Sequence, residues 1–376
     1  MQKKLIALAV ASALAVPAAA MAAGDTSVYG VLDAGYSMNQ TTLQSGGDTK
    51  TALDAIGFSA MTSSRIGFMH TEDLGNGMSL MGKIETGIGS NPNAGDYATV
   101  STGVPNAHAT NGTTIDATSL GNRELNLTLM IDKTAIKAGY GSTWVRDISL
   151  GYAPDPGGNL TGNILNFDGA NLSSNRAAGV TATQDFGGGL SAAVQFTANT
   201  RTADNTADWK SGNGYLIGAK FADGPISAAG AYQNQKTTLS GFGSSTLTND
   251  ATRKIFILGG SYDLEVAKVI AEYANIKNEE AVSSTNAKNS YFSVGAQAPF
   301  GPVTGFVQLS TGKINFGGTG DNDQTIKGYT VGGKYNLSKA SYGYLSIGNI
   351  KLDEDAGAGN AGFKADQVAL GLVKTW

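Results

Sequence analysis

The chain contains no cysteine, only 8 prolines and only 2 histidines in 376 residues. Without thiols, a disulfide scaffold and a cysteine-ligated metal centre are impossible. His70 and His108 are too few for a multi-histidine site. Charge is scarce as well. Charged residues make up 15 % of the chain, against about a quarter in an ordinary soluble domain. So few charges do not make an acidic disordered polymer, and a net charge of −4 provides no basic face for nucleic acid. What the chain has in excess is glycine, 52 residues. The glycines have no period of three, which excludes collagen.

The N-terminus reads as an export signal. Lys3 and Lys4 precede an apolar run from Leu5 to Val16, too short to span a bilayer as a helix. Pro17 breaks the run, and Ala20-Met21-Ala22 has the small-x-small form of a cleavage site. The expected division is a signal peptide at 1–22, with cleavage possibly after 23, and one domain over 23–376. Losing Lys3 and Lys4 with the leader takes the net charge from −4 to −6. No later apolar run is long enough for a transmembrane helix, and an absence of cysteine suits an oxidising compartment.

The mature chain has an apolar period of two. Leu190, Ala192, Val194 and Phe196 alternate with Ser191, Ala193 and Gln195. The segments at 292–297, 329–335 and 368–373 alternate in the same way. Each such strand has one apolar face and one polar or small face. Tight turns are expected at 73–77, 132–134, 187–189, 222–225, 263–265, 300–302 and 336–339, where Gly, Asp, Asn and Pro supply the dihedrals. Between them lie long polar stretches near 39–54, 90–121, 142–174, 202–212, 239–250, 278–287, 315–324 and 353–362. Seven turns and eight loops join sixteen strands. Phe186, Phe221, Tyr262, Phe300 and Tyr335 each open a tight turn. Aromatics at one common level form a girdle where lipid meets water. They could also plug the end of a soluble core. Short turns at one end and long loops at the other favour an all-β, sixteen-stranded antiparallel outer-membrane barrel with periplasmic turns and extracellular loops.

Short motifs spread along the chain resemble the Gram-negative general-diffusion porins of beta- and gamma-proteobacteria. Ser27-Val28-Tyr29-Gly30-Val31-Leu32-Asp33-Ala34-Gly35 is similar to the family's first strand. Ser64-Arg65-Ile66-Gly67-Phe68 and Thr71-Glu72-Asp73-Leu74-Gly75-Asn76-Gly77 are similar to its second strand and first turn. Asn122-Arg123-Glu124 and Asn175-Arg176 resemble two further strand starts, and 368–376 resembles the closing strand. Two positions depart from the pattern: Trp376 stands where phenylalanine is usual, and Met69 where a second basic residue is common.

The resemblance implies a passive aqueous channel for ions and small hydrophilic solutes, a homotrimer, and passage through the barrel-insertion machinery with Trp376 as its signal. It carries Arg65, Arg123 and Arg176 to the pore wall. It also implies that the 142–174 loop folds inward, which would set Asp147, Asp155 and Asp168 opposite those arginines. Strand parity supports Arg65, because Ile66 and Phe68 then face lipid. It also places Lys83 and Glu85 together on the inner face, and Lys220, Lys268, Glu272 and Lys334 follow the same logic. Arg123 shares the parity of Leu125, Leu127 and Leu129. A bulge would reset it; otherwise that strand faces a subunit contact. No nucleophile motif accompanies either histidine, so neither enzyme chemistry nor a cofactor is expected. Nor does any calcium-loop spacing surround Asp321 and Asp323. The alternative of another class is an adhesion or binding barrel with a closed lumen.

Overall fold

In a computed structural model, the structure describes residues 24–44, 48–58, 60–88, 120–158, 160–165, 172–197, 213–236, 252–279, 286–315, 323–353 and 362–376. The expected leader, Asp168, His108 and Asp321 lie outside these residues. The strands are β1 (Gly24–Gln44), β2 (Asp48–Phe58), β3 (Arg65–Gly75), β4 (Met78–Gly87), β5 (Glu124–Ile131), β6 (Thr134–Ser142), β7 (Arg176–Gly187), β8 (Leu190–Thr197), β9 (Gly214–Asp223), β10 (Ile226–Lys236), β11 (Thr252–Asp263), β12 (Lys268–Glu279), β13 (Ala287–Phe300), β14 (Val303–Asn315), β15 (Asp323–Ser338), β16 (Ser341–Leu352) and β17 (Gly362–Thr375). One helix, α1 (Trp144–Gly151), lies between β6 and β7.

Each strand pairs antiparallel with its neighbours, and β1 pairs with β17 from Val31↔Thr375 to Gln44↔Gly362 to close the barrel. The seventeen segments make sixteen staves. The start of β1 pairs with β3, its remainder pairs with β2, and β2 and β3 are two parts of one stave. Asp33 holds the break between them. Its carboxylate accepts from the amides of Met61 at 2.7 Å and Thr62 at 2.8 Å, and from the Tyr344 hydroxyl at 2.8 Å. A buried acid thus satisfies backbone donors that have left the ladder.

This stave corrects one expectation. The stretch at 39–54 is not a long loop, because β1 runs to Gln44 and β2 resumes at Asp48. Thr, Gln and Asn can fill a strand when its ladder partners hold it, here β1 against β2 and β17, so polarity alone misplaced the boundary. All seven tight turns occur where expected. Asp132 adopts φ 49° and Asn76 φ 53°, the left-handed geometry that Asn and Asp tolerate best. Asp73, Asp185 and Asp263 accept from the amide two residues on, at 2.7–2.8 Å.

The outer surface is apolar. Phe68, Ile84, Leu127, Val194, Ile217, Leu309 and Leu372 are exposed on alternating positions. The five girdle aromatics are exposed beside the tight turns. An apolar belt of this extent suits lipid, where no water is ordered around it. No helix among the described residues is long and apolar enough to cross a membrane; the crossing is made by strands.

The connection between β6 and β7 folds into the barrel. Helix α1 packs on β10 and β11, with Trp144, Val145, Ile148 and Tyr152 buried against Leu216, Ala229, Ile255, Ile257 and Ile270. Beyond α1 the chain crosses to the opposite wall. The Gln297 amide donates to the Pro154 carbonyl at 2.9 Å, the Thr161 amide donates to Gln367 at 2.9 Å, and the Thr330 hydroxyl donates to the Thr161 carbonyl. Wall glycines make room for this path. A Cβ on Gly218 would meet Trp144 at 2.9 Å, one on Gly328 would meet the Gly162 carbonyl at 2.6 Å, and one on Gly348 would overlap the Thr161 carbonyl. Part of the glycine excess therefore serves as the bed of an inward loop.

Candidate constriction

Four short staves end near one level inside the barrel: β4 at Gly87, β5 from Glu124, β6 at Ser142 and β7 from Arg176. Glu85 lies opposite Glu124 in the ladder, so both carboxylates share the inner face. Glu85 is the hub. It accepts from Arg123 Nε at 2.7 Å and from the Tyr29 hydroxyl at 2.9 Å, and Arg65 Nε stands 3.8 Å away. Arg65 also donates to the Ser63 carbonyl at 2.8 Å. Lys83, one step nearer the turn end, sits 5.6 Å above the Tyr29 ring.

The parity conflict at Arg123 resolves without a bulge. β5 begins at Glu124, so Arg123 stands just outside the ladder, where alternation no longer binds it. Its amide still donates to the Glu85 carbonyl, and its side chain turns inward while Leu125 and Leu127 face outward. Arg176, the first residue of β7, likewise leaves the parity of outward Val180. Its Nε is buried without a hydrogen-bond partner, within electrostatic reach of Arg146 and Arg123.

The loop contributes differently from expectation. Asp155 is 1 % exposed. It accepts from the amides of Gly157 and Gly158 and from Asn163, all within its own loop, so it shapes the loop and faces no passing ion. Burial pushes its carboxyl up to about 6, against the pull of those donors. Asp147 is the more accessible acid; its carboxylate lies 4.0 Å from Arg146 on the same helix. Among the described loop residues, the two expected acids therefore do not form a row against the arginines; Asp168 lies outside them. Lys220 packs 4.4 Å over the Trp144 ring, Lys334 packs 5.1 Å over Tyr342, and Glu272 is buried in the wall, all inward as parity implied.

Two residues were missed by the sequence reading. Glu124 accepts from the Ser142 amide and hydroxyl at 3.0 and 2.6 Å and from Asn126 at 2.9 Å. Its shared parity with Asn126 and Thr128 was the available signal. Arg146 lies in α1, whose Trp144, Val145 and Ile148 mark a short helical face inside an otherwise β-sheet chain. Thr143 caps that helix by accepting from the Arg146 amide at 3.4 Å. Burial and the nearby Arg123 both lower the Arg146 pKa. Trp376, at the barrel seam, exchanges backbone bonds with Gly30, and its indole fills the space beside that glycine.

A closed barrel with a loop folded inward and a cluster of inward charges beside it is the anatomy of a diffusion pore. Residues 7–355 match the family model for Gram-negative porins. The chain is a Gram-negative porin. It is 28 % identical over 382 residues to outer membrane porin protein 32 of Delftia acidovorans, covering 100 % of this chain and 95 % of that one. It is 25 % identical to major outer membrane protein P.IB of Neisseria gonorrhoeae, covering 98 % and 99 %. Among solved structures, an anion-selective porin from Comamonas acidovorans superposes with a TM-score of 0.69 at 19 % identity, covering 94 % of this chain and 100 % of that one. A Salmonella typhi OmpF complex with daunomycin gives 0.61 at 17 % identity, with 94 % and 98 % coverage. This porin is an outer-membrane β-barrel that forms a passive aqueous channel for ions and small hydrophilic solutes. Its family is one of channels, and His70 is engaged by the Thr26 hydroxyl at 2.8 Å on the wall.

Proposed function

We propose that this porin favours anions, and that Arg65, Arg123 and Arg176, with Glu85 as their partner, form its selectivity element. The observation that carries this reading is the charge balance at the throat. The three wall arginines cluster around the Glu85–Glu124 level, while of the two expected loop acids among the described residues Asp155 is buried in its own loop and Asp147 sits beside Arg146. A cationic narrow zone raises the local concentration of anions and repels cations. The anion-selective porin among the structural neighbours agrees with this preference. Lys83 extends the basic surface toward the periplasmic end.

The test is the reversal potential of the purified channel in a planar bilayer under a salt gradient. An anion-selective sign is expected, shrinking as salt rises and screening shortens. A cation-selective sign rejects the reading.

The working unit in this proposal is a homotrimer embedded in outer-membrane lipid, exported with a signal peptide over 1–22 that is cleaved after Ala22 or Ala23. Tight turns face the periplasm. The same purified protein provides the check: its N-terminal residue should be Ala23 or Gly24, and its native mass in detergent should be three chains. A clean monomer rejects the trimer. Trp376 is proposed as the signal read by the barrel-insertion machinery. Trp376→Ser should slow assembly, because it strips the aromatic from the seam beside Gly30. Undiminished folded protein in the outer membrane rejects that role.

A further inference from the structure

The third loop carries a guanidinium of its own into the throat, and its placement is built. Arg146 Nε donates to the Ser173 carbonyl at 2.8 Å, and Nη1 donates to the Ser142 hydroxyl at 3.1 Å. Ser142 lies where the loop leaves β6 and Ser173 where it returns to β7, so one side chain ties both ends of the loop together. Beneath it the neck is closed again, by the Thr143 amide on the Asn175 carbonyl at 3.3 Å and the Thr143 hydroxyl on Asn175 Oδ1 at 2.6 Å. The Ser142 hydroxyl that accepts from Arg146 donates in turn to Glu124. The loop cation is thereby wired to the wall carboxylate opposite Glu85.

We propose that Arg146 is a specificity-determining residue of the channel: it is the fourth cation of the selectivity element, supplied by the loop and held in line with Arg123 and Arg176 by its bonds to Ser142 and Ser173. The assignment rests on the anion-preference reading and extends it from the wall to the loop. Three features support it. Only 15 % of the Arg146 side-chain surface is exposed, so its position is defined by contacts. It lies within electrostatic reach of Arg123, Arg176, Glu85 and Glu124. Its helical neighbour Asp147 is also within reach of Lys220, so that acid is shared between two cations and does not cancel Arg146 alone. The basic cluster then extends from the wall strands onto the root of the loop. An anion finds guanidinium groups on the wall and on the loop, and among the described loop acids Asp155 is buried and Asp147 is shared between Arg146 and Lys220.

The experiment compares the full-length channel with Arg146→Gln and Arg146→Lys in planar bilayers, reading the anion-to-cation permeability ratio under a salt gradient. Arg146→Gln should lower the ratio about twofold at physiological salt, since the lost charge acts in opposite directions on the two ions. Arg146→Lys keeps the charge but cannot make both bonds in the same geometry. It should restore the ratio while making the open-channel current noisier. If Arg146→Gln leaves the ratio unchanged, or if lysine is as damaging as glutamine, Arg146 acts only as a loop tie and the proposal is wrong. Should Arg146→Gln fail to assemble, Asp147→Asn decides instead: freeing Arg146 of its neighbouring acid should raise the ratio, and an unchanged ratio overturns the role of that charge. A wild-type channel without anion preference would instead reject the reading beneath the proposal, so the two failures are distinct.

Discussion

Gly348→Leu should reduce the single-channel conductance roughly by half and make the current flicker, because a narrow aqueous path responds steeply to its smallest section. Gly348 faces inward on β16, and a Cβ there would already overlap the Thr161 carbonyl. The loop cannot yield sideways. Thr161 is held by Gln367 and Thr330, and the adjoining Gly162 sits at φ +110° with its carbonyl against Gly328. A leucine side chain must therefore push the strip around Leu160–Asn163 off its wall and toward the arginines. The control is Gly343→Leu on the same strand. There the nearest neighbour of an added Cβ is a Leu372 methyl at 3.4 Å, with no contact to the loop. Planar-bilayer recordings of both variants decide the matter. A steady, wild-type conductance in Gly348→Leu would mean that the loop does not rest on this wall in the open channel.

The second large effect is a pair of opposite shifts in selectivity. Arg123→Ser should move the reversal potential toward cations, and Glu85→Gln should move it toward anions. The two groups are partners at 2.7 Å, so each replacement changes the throat by one unit in opposite directions. At about 8 Å through water in physiological salt, one screened charge changes an ion's free energy by about 0.2 kcal/mol. The sign differs for anion and cation, so the permeability ratio moves about twofold, rising to about fourfold in 10 mM salt where the Debye length is about 30 Å. Arg123→Ser also leaves a nearly buried carboxylate with a weaker partner, and the variant should be the less heat-stable of the two. A reversal potential that moves in the same direction for both, or in neither, removes this ion pair from the selectivity element.

The barrel was legible because its signals are local. Alternation of apolar and small residues reports lipid on one side and water on the other, strand by strand. Asp-Leu-Gly-Asn-Gly or Ala-Asp-Gly-Pro can hardly be anything but a turn. The inward placement of Lys83 and Glu85 followed from parity with Ile84, and that of Arg65 from parity with Ile66 and Phe68. Parity failed at Arg123 and Arg176 for a plain reason: both stand at the edge of a ladder, where hydrogen bonding stops dictating which way a side chain points. The polar stretch at 39–54 was misread because its side chains are mostly polar, which leaves no apolar alternation for the reading to use.

The amino-acid sequence by itself determined the membrane barrel, its seven tight turns, its aromatic girdle and the family to which the chain belongs, since each is written in neighbouring residues. Tertiary structure decided the rest. It divided one stave into β2 and β3 around Asp33, and it laid the third loop on wall residues more than a hundred positions away, such as Gly348 and Gln367. It turned Asp155 from the expected pore acid into a buried clasp of its own loop, and linked Arg146 through Ser142 to Glu124 beside Arg123 and Glu85. The physical reason is that a side chain in a loop has no fixed face. Whether its charge meets an ion, a backbone amide or another charge depends on the path of the loop across the lumen, and that path is set by distant walls.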